Sequence, residues 1–283
     1  MEIQWSLVFY SLFLGIAIGP FAVAALTDCL KTHPGVCKWG AVVALVSLVL
    51  AGISAFTHLG TPLHAINVFN NLLGSDLSRE VLVTFVTGVL ALVFWAQMFL
   101  GILPNYKRGV AWAGLVFSAL SAFLIGASYM VSARPMWNSW LLPLTLLTSS
   151  LPMGLLAMFV VSSFAPGADA KDRLPVRQQL VKWTLVVLVV YAVIAALYLF
   201  VGGAQAGLLT RIVAGDLAVG FWLGVVLVGV AAPLALVVMS QRTANDKTLA
   251  SWMTLAFVLV LVGGIVIRAL LFVVGTRVPL LPS

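Results

Sequence analysis

The sequence predicts an all-α integral membrane protein, a single polytopic domain over residues 1–283 that crosses the bilayer eight times. Apolar residues make up 63% of the chain and charged residues 8%, whereas a soluble domain has about 25% charged residues. A spanning helix needs roughly 20 apolar residues to cross a hydrocarbon layer about 30 Å thick. None of the apolar runs alternates in polarity as barrel strands do. Eight segments meet the requirement: 5–27, 39–58, 80–102, 109–131, 141–164, 180–200, 217–240 and 248–274.

The spans follow one another through mostly short loops, so consecutive helices are expected to be antiparallel neighbours. The first span is not predicted to be a cleaved signal, because it begins without basic residues and its apolar stretch is too long. Four spans precede residue 140 and four follow it. This division predicts two four-helix bundles.

Basic residues are divided unevenly between the loops of the two predicted faces. One face carries ten of the fifteen Lys and Arg residues and the other carries four, while Arg268 lies within the last span. Cytoplasmic loops carry the excess of positive charge, so both termini are predicted to lie outside. The net charge of +7 does not indicate nucleic-acid binding, because these residues form no contiguous patch. The ten are Lys31, Lys38, Lys107, Arg108, Lys171, Arg173, Arg177, Lys182, Arg242 and Lys247.

Cys29, His33 and Cys37 lie in the first cytoplasmic loop with the spacing Cys-x3-His-x3-Cys. A fourth ligand is missing, and the spacing matches no standard zinc site. Two reduced thiols are therefore the favoured interpretation and a metal site is the alternative.

The long outer loop over residues 58–80 gathers two of the three histidines, three asparagines and two of the eight acidic residues. Its apolar residues recur at helical spacing, which predicts a short helix in the membrane interface. His64 lies in this segment and is interpreted as an interfacial loop residue. The recurring apolar residues are Leu63, Ile66, Phe69 and Leu73.

His58 ends the second predicted span and Glu80 begins the third, so an excursion that returns antiparallel brings them near each other. Histidine exchanges protons near neutral pH, and a partly buried glutamate passes protons onward. These groups suit the two-proton chemistry of hydroquinone oxidation. The alternative is structural, because a glutamate beside Arg79 in a first helical turn also stabilises the helix dipole. A histidine at a membrane interface can equally be a hydrogen-bonded end residue.

Arg268 lies inside the last apolar span, where a charge is costly and usually faces a cavity or a partner. Alternatively, its long side chain reaches toward the outer end of the helix. Tyr129 and Arg134 are expected to face the same cavity. No transmembrane haem is predicted, because none of the three histidines lies deep within a span.

A specific motif stands in residues 58–80: His58-Leu59-Gly60-Thr61-Pro62, then Ala65, Asn67, Asn70, Ser78 and Glu80. It resembles the membrane anchor subunit of bacterial dimethyl sulfoxide reductase, which is related to the polysulfide and nitrite reductase anchors. The resemblance extends over nearly the whole chain. It includes Tyr129, Pro135, Trp137, Ser139 and Arg268.

The resemblance implies an anaerobic respiratory complex of three subunits in the bacterial inner membrane. The anchor would oxidise menaquinol and would have no haem, metal or reductase centre of its own. It would hold a four-cluster iron–sulfur subunit on the periplasmic face, which passes electrons to a molybdopterin catalytic subunit. The quinol-site histidine and glutamate of the family fall on His58 and Glu80. Further site-lining residues are expected at Gly60, Pro62, Asn67, Arg79, Tyr129, Arg134 and Arg268.

The sequence departs from that family at two positions. Gly264 stands where an acidic residue precedes the last-span arginine by one turn, and Ala127 stands where an arginine precedes the tyrosine. Arg268 therefore lacks the local acidic partner of the family, and either the proton route of the quinol site or the terminal acceptor is expected to differ from the family's. A secondary transporter with a site near Arg268 and a purely structural tether are the other function classes. The polar cluster lies at one face rather than at the midplane, which favours the anchor.

Overall fold

The computed structural model describes residues 3–30, 34–59, 62–72, 74–132, 134–164, 170–243 and 245–275. Within these ranges the fold is all-helical, without strands, and eight helices are long and apolar enough to cross a membrane. Both expectations are confirmed. The spans are α1 (Trp5–Cys29), α2 (Pro34–Phe56), α3 (Asp76–Leu100), α4 (Lys107–Ala127), α5 (Leu141–Phe164), α6 (Ala170–Leu197), α7 (Gly220–Ser240) and α8 (Asp246–Val274).

The helix boundaries differ from the predicted spans where a polar turn is itself helical. α3 begins at Asp76 rather than at residue 80, because the Ser75 hydroxyl accepts a hydrogen bond from the Ser78 amide and caps the helix. α6 begins at Ala170, ten residues before the apolar run. α2 ends at Phe56 rather than at residue 58, and the two residues that follow it form a turn. A hydropathy criterion finds the membrane-embedded part of a helix and misses its polar end.

Spans six and seven contain π-helical turns. Residues Tyr198–Gly202 continue α6 in this conformation, and Gly220–Ala231 form the first half of α7. The π-helical half of α7 packs on α8 through two glycines, Gly229 on α7 and Gly263 on α8. The two backbones are so close that a Cβ on Gly263 would lie 2.1 Å from the Gly229 Cα. Small residues permit this kind of close approach between helices in a membrane.

The eight spans form two four-helix groups, as predicted. α1 to α4 each contact their neighbours in a closed ring, and α5 to α8 do the same. α5 contacts α1, α2 and α4, and α8 contacts α1, so these helices join the two groups. α1 is the most enclosed of the eight spans, because 78% of its apolar 18-residue stretch is buried.

The backbones of α1 and α5 meet at a pair of glycines. A Cβ on Gly19 would lie 2.2 Å from the Ser150 carbonyl oxygen and 2.8 Å from the Gly154 Cα. Any larger side chain at this crossing would push the two helices apart. The close contact between the two four-helix groups at this crossing therefore depends on glycine.

Eight crossings bring the start of α1 and the end of α8 to the same side, which we call the N-terminal face. This face also carries the segment between α2 and α3, where a 3₁₀ helix runs from Pro62 to Asn71. A short helix was predicted here. Its Ile66 and Phe69 are exposed, and the Phe69 ring contacts that of Phe85 on α3 at 6.4 Å between centroids.

Candidate functional site

His58 lies two residues beyond the end of α2 at the N-terminal face and is exposed. Its Nδ1 atom and the Ser6 hydroxyl on α1 share a hydrogen bond of 3.2 Å. Among the described residues, no hydrogen-bond partner is found for the second ring nitrogen, and the side chain is exposed. His58 is thus held from one side and accessible from the other.

Glu80 lies in the second turn of α3 and is 1% exposed. The Tyr10 hydroxyl on α1 donates a hydrogen bond of 2.7 Å to its Oε1 atom. Ser128, just beyond α4, lies near the carboxyl, and its hydroxyl donates to the Ile125 carbonyl at 3.0 Å. Asp76, and not Glu80, is the acidic residue in the first turn of α3.

The helix α1 connects these two sites. Ser6, which contacts His58, and Tyr10, which contacts Glu80, are four residues apart and lie on the same face of α1. Four residues correspond to about 6 Å along a helix axis. His58 and Glu80 therefore contact neighbouring turns of α1 through Ser6 and Tyr10, two residues that the sequence does not mark as site residues.

Tyr129 and Arg134 lie in the segment between α4 and α5, which folds into the bundle. Burial raises the pKa of the Tyr129 hydroxyl, which is within electrostatic range of both Glu80 and Arg268. The Arg134 guanidinium stacks over the Trp137 ring at 4.1 Å from the centroid. Trp137 is buried and its Nε1 atom donates to the Leu271 carbonyl of α8 at 2.8 Å. The segment between α4 and α5 therefore packs against α8 and lies near Glu80.

Arg268 is 1% exposed, so its side chain does not reach the end of α8. Its Nη1 atom donates to the Gly264 carbonyl at 3.1 Å, and its Nη2 atom donates to the Ser149 hydroxyl at 3.2 Å. Within the described part of the chain, no acidic side chain forms an ion pair with it. A buried charge of this kind is costly and is usually functional in a membrane protein.

The other predicted lining residues are less well connected to the pair. Asn67 is exposed and accepts a hydrogen bond of 3.4 Å from Asn70. Arg79 is exposed, pairs with Asp76 at 3.0 Å and donates from Nε to the Leu72 carbonyl at 3.3 Å. Gly60 and the side chains of Pro62 and His64 lie outside the described residues.

Cys29 and Cys37 lie within helices rather than in a loop, and both are buried. The Cys37 sulfur lies 3.1 Å from the Thr27 hydroxyl. His33, the third member of the predicted spacing, lies outside the described residues. Among the residues that are described, no group of three or more His, Cys, Asp and Glu side chains could hold a metal ion.

The sequence profile described as polysulphide reductase, NrfD, matches residues 1–279. The chain belongs to this family. The relationship to the polysulfide and nitrite reductase anchors that residues 58–80 indicated is confirmed. No curated protein sequence matches the chain.

Membership in the NrfD family gives the chain a general role. It is a multi-pass inner-membrane protein, the membrane subunit of a polysulphide-reductase-type complex. Such subunits assemble with iron–sulfur and molybdoenzyme subunits and interact with quinones.

Proposed function

We propose that this NrfD-family chain is the haem-free, menaquinol-oxidising anchor of an anaerobic respiratory molybdoenzyme similar to dimethyl sulfoxide reductase. The observation that carries the proposal is the buried Glu80 carboxyl, which accepts from Tyr10 one helical turn away from the Ser6–His58 contact. Ionisable side chains buried in a membrane span mark proton and substrate sites.

Menaquinol releases two protons and two electrons when it is oxidised. His58 hydrogen-bonds one quinol hydroxyl and accepts its proton, while Glu80 accepts the second proton and relays it outward. The two electrons pass to the nearest iron–sulfur cluster of a four-cluster subunit docked on the N-terminal face. That subunit reduces the molybdopterin subunit, which reduces the terminal acceptor.

The position of the pair supports entry of the quinol from the lipid. His58 is exposed at the rim of the bundle, whereas Glu80 is enclosed between α1, α3 and the segment after α4. A quinol head group bound between them would have one hydroxyl at each proton acceptor. Lining roles are proposed for Gly60, Pro62, Asn67, Arg79, Tyr129, Arg134 and Arg268.

The orientation of the complex follows from charge. The face opposite the N-terminal face carries the excess of basic loop residues, so it is assigned to the cytoplasm. The N-terminal face is then periplasmic, and the partner subunits dock there. This assignment places the proton acceptors and the electron acceptor on the same side of the membrane.

The proposal is tested by purifying the chain in mild detergent and measuring the metal content and quinol binding. Iron and molybdenum should co-purify, and a fluorescent quinol analogue should bind to the wild-type complex and not to the His58→Arg complex. Purification without either metal would favour a secondary transporter. Metal content with analogue binding that His58→Arg does not change would favour a structural tether.

A further inference from the structure

A small cavity lies inside the bundle where α1, α5 and α8 meet the segment after α4. Its polar lining consists of Ser11, Tyr129 and Arg268, and its apolar lining includes Leu146, Trp137 and Phe272. The volume of about 10 Å³ is that required by a single water molecule. The cavity therefore combines polar groups with a size that suits one small ligand.

One nitrogen of Arg268 lacks a partner in the described part of the chain. Nη1 and Nη2 donate to Gly264 and Ser149, but the buried Nε atom has no hydrogen-bond partner among the described residues. A buried N–H without a partner loses its hydration and gains nothing in return, so such groups are rare. A ligand in the cavity would restore the missing bond.

The three polar side chains define which ligand fits. The Ser11 hydroxyl already donates to the Val8 carbonyl at 3.1 Å, so its lone pairs face outward as acceptors. The Arg268 Nε atom is a donor, and the Tyr129 hydroxyl can donate as well. The cavity thus offers two donors and one acceptor, which water can match, whereas a halide ion has no hydrogen to donate to the Ser11 oxygen.

We propose that the cavity lined by Ser11, Tyr129 and Arg268 binds one water molecule. The water accepts from Arg268 Nε and the Tyr129 hydroxyl and donates to Ser11 Oγ, which gives it the three hydrogen bonds typical of buried water. Through this water, Arg268 holds the Tyr129 hydroxyl in position. Arg268 is therefore a positioning residue for the Glu80 site, a consequence that rests on the proposed function.

The water site is tested by a structure of the complex at a resolution where ordered waters are visible, from crystals grown with bromide. A single peak within hydrogen-bond distance of Arg268 Nε, Tyr129 and Ser11, without anomalous signal, is expected. Absence of the peak, a protein atom bonded to Nε, or an anomalous bromide peak would overturn the proposal. This measurement does not depend on quinol oxidation.

The positioning role is tested by Ser11→Val, which fills the cavity and removes the acceptor. The smaller Ser11→Ala is the second variant if Ser11→Val does not assemble, and Ser118→Val, at a buried serine of α4 outside the cavity, is the control. The KM for menaquinol should rise about fivefold, as expected from one net hydrogen bond, with no change in the control. Persistence of the water peak in Ser11→Val would overturn the site, and an unchanged KM after its loss would overturn the positioning role.

Discussion

The Tyr10 hydroxyl on α1 donates a hydrogen bond of 2.7 Å to the Glu80 carboxyl on α3, across 70 residues of sequence. Tyr10 is half-buried, whereas Glu80 is almost completely enclosed. The bond ties the candidate proton acceptor to the most enclosed span of the protein. It also places Glu80 one turn of α1 from the Ser6–His58 contact, which makes α1 the scaffold of the candidate site.

Replacing Tyr10 by Phe should slow menaquinol oxidation about tenfold. The change removes a hydrogen bond to an ionisable group, which contributes about 1.5–3 kcal/mol, while the ring continues to fill its place. Steady-state quinol oxidation by the purified complex measures the effect. Tyr106→Phe, at an exposed tyrosine on the opposite face, is the matched control and should be silent. Equal rates for the two variants would argue against a role for the Tyr10–Glu80 bond.

Replacing Ser6 by Ala should weaken quinol binding about threefold. The Ser6–His58 bond lies at an exposed site, where a hydrogen bond contributes only about 0.5–1 kcal/mol. Titration with a quinol analogue gives the affinity. Ser54→Ala is the control, because the Ser54 hydroxyl donates only to the Leu50 carbonyl of its own helix. An affinity in Ser6→Ala equal to or tighter than that of the wild type would show that Ser6 does not orient His58 for binding.

Replacing Gly19 by Ala should destabilise the protein strongly. The new methyl group would meet the Ser150 carbonyl oxygen and the Gly154 backbone of α5, neither of which can rotate away. Overpacking of this kind costs about 1–3 kcal/mol or more. The yield of monodisperse protein and its thermal midpoint measure the loss. Gly52→Ala meets no atom within 4 Å and should be neutral or slightly stabilising. Normal yield for Gly19→Ala would show that α1 and α5 do not pack at this crossing.

Replacing Asp246 by Asn should lower the stability of the second four-helix group. Arg177 on α6 is buried and forms an ion pair with Asp246 at the start of α8, so the change leaves a buried guanidinium without its counter-charge. Because Asp246 is half-exposed, we expect a loss of about 1–3 kcal/mol rather than the full value for a buried pair. Thermal unfolding in detergent measures it. Asp216→Asn, which breaks the exposed pair with Arg211, should leave the midpoint unchanged. A larger effect for Asp216→Asn would show that the Arg177–Asp246 ion pair is not the more stabilising of the two.

The eight spans could be predicted because a bilayer imposes length and apolarity on every helix that crosses it. The polar ends of α3 and α6 could not be found in this way, because a capping serine and a charged first turn extend a helix without adding apolar residues. His58 and Glu80 could be selected from the sequence as candidates because they flank one unusually polar loop.

The contacts of His58 and Glu80 with other residues could be found only from the three-dimensional structure. Tyr10 is one of five tyrosines, and nothing in the sequence indicates that its face of α1 points toward Glu80. The same holds for Ser149, which reaches Arg268 over 119 residues. Which helix faces which is a property of packing, so the partners of a buried polar group emerge only from the tertiary structure.

In the proposed function, Glu80 accepts a proton during quinol oxidation. Glu80→Gln tests it most directly, because glutamine keeps the size of the side chain and can still accept from Tyr10, but does not take up a proton. Assembly with the partner subunits and binding of the quinol analogue serve as controls and should be retained. We expect this variant to bind menaquinol without oxidising it, and oxidation at the wild-type rate would show that Glu80 is not the proton acceptor.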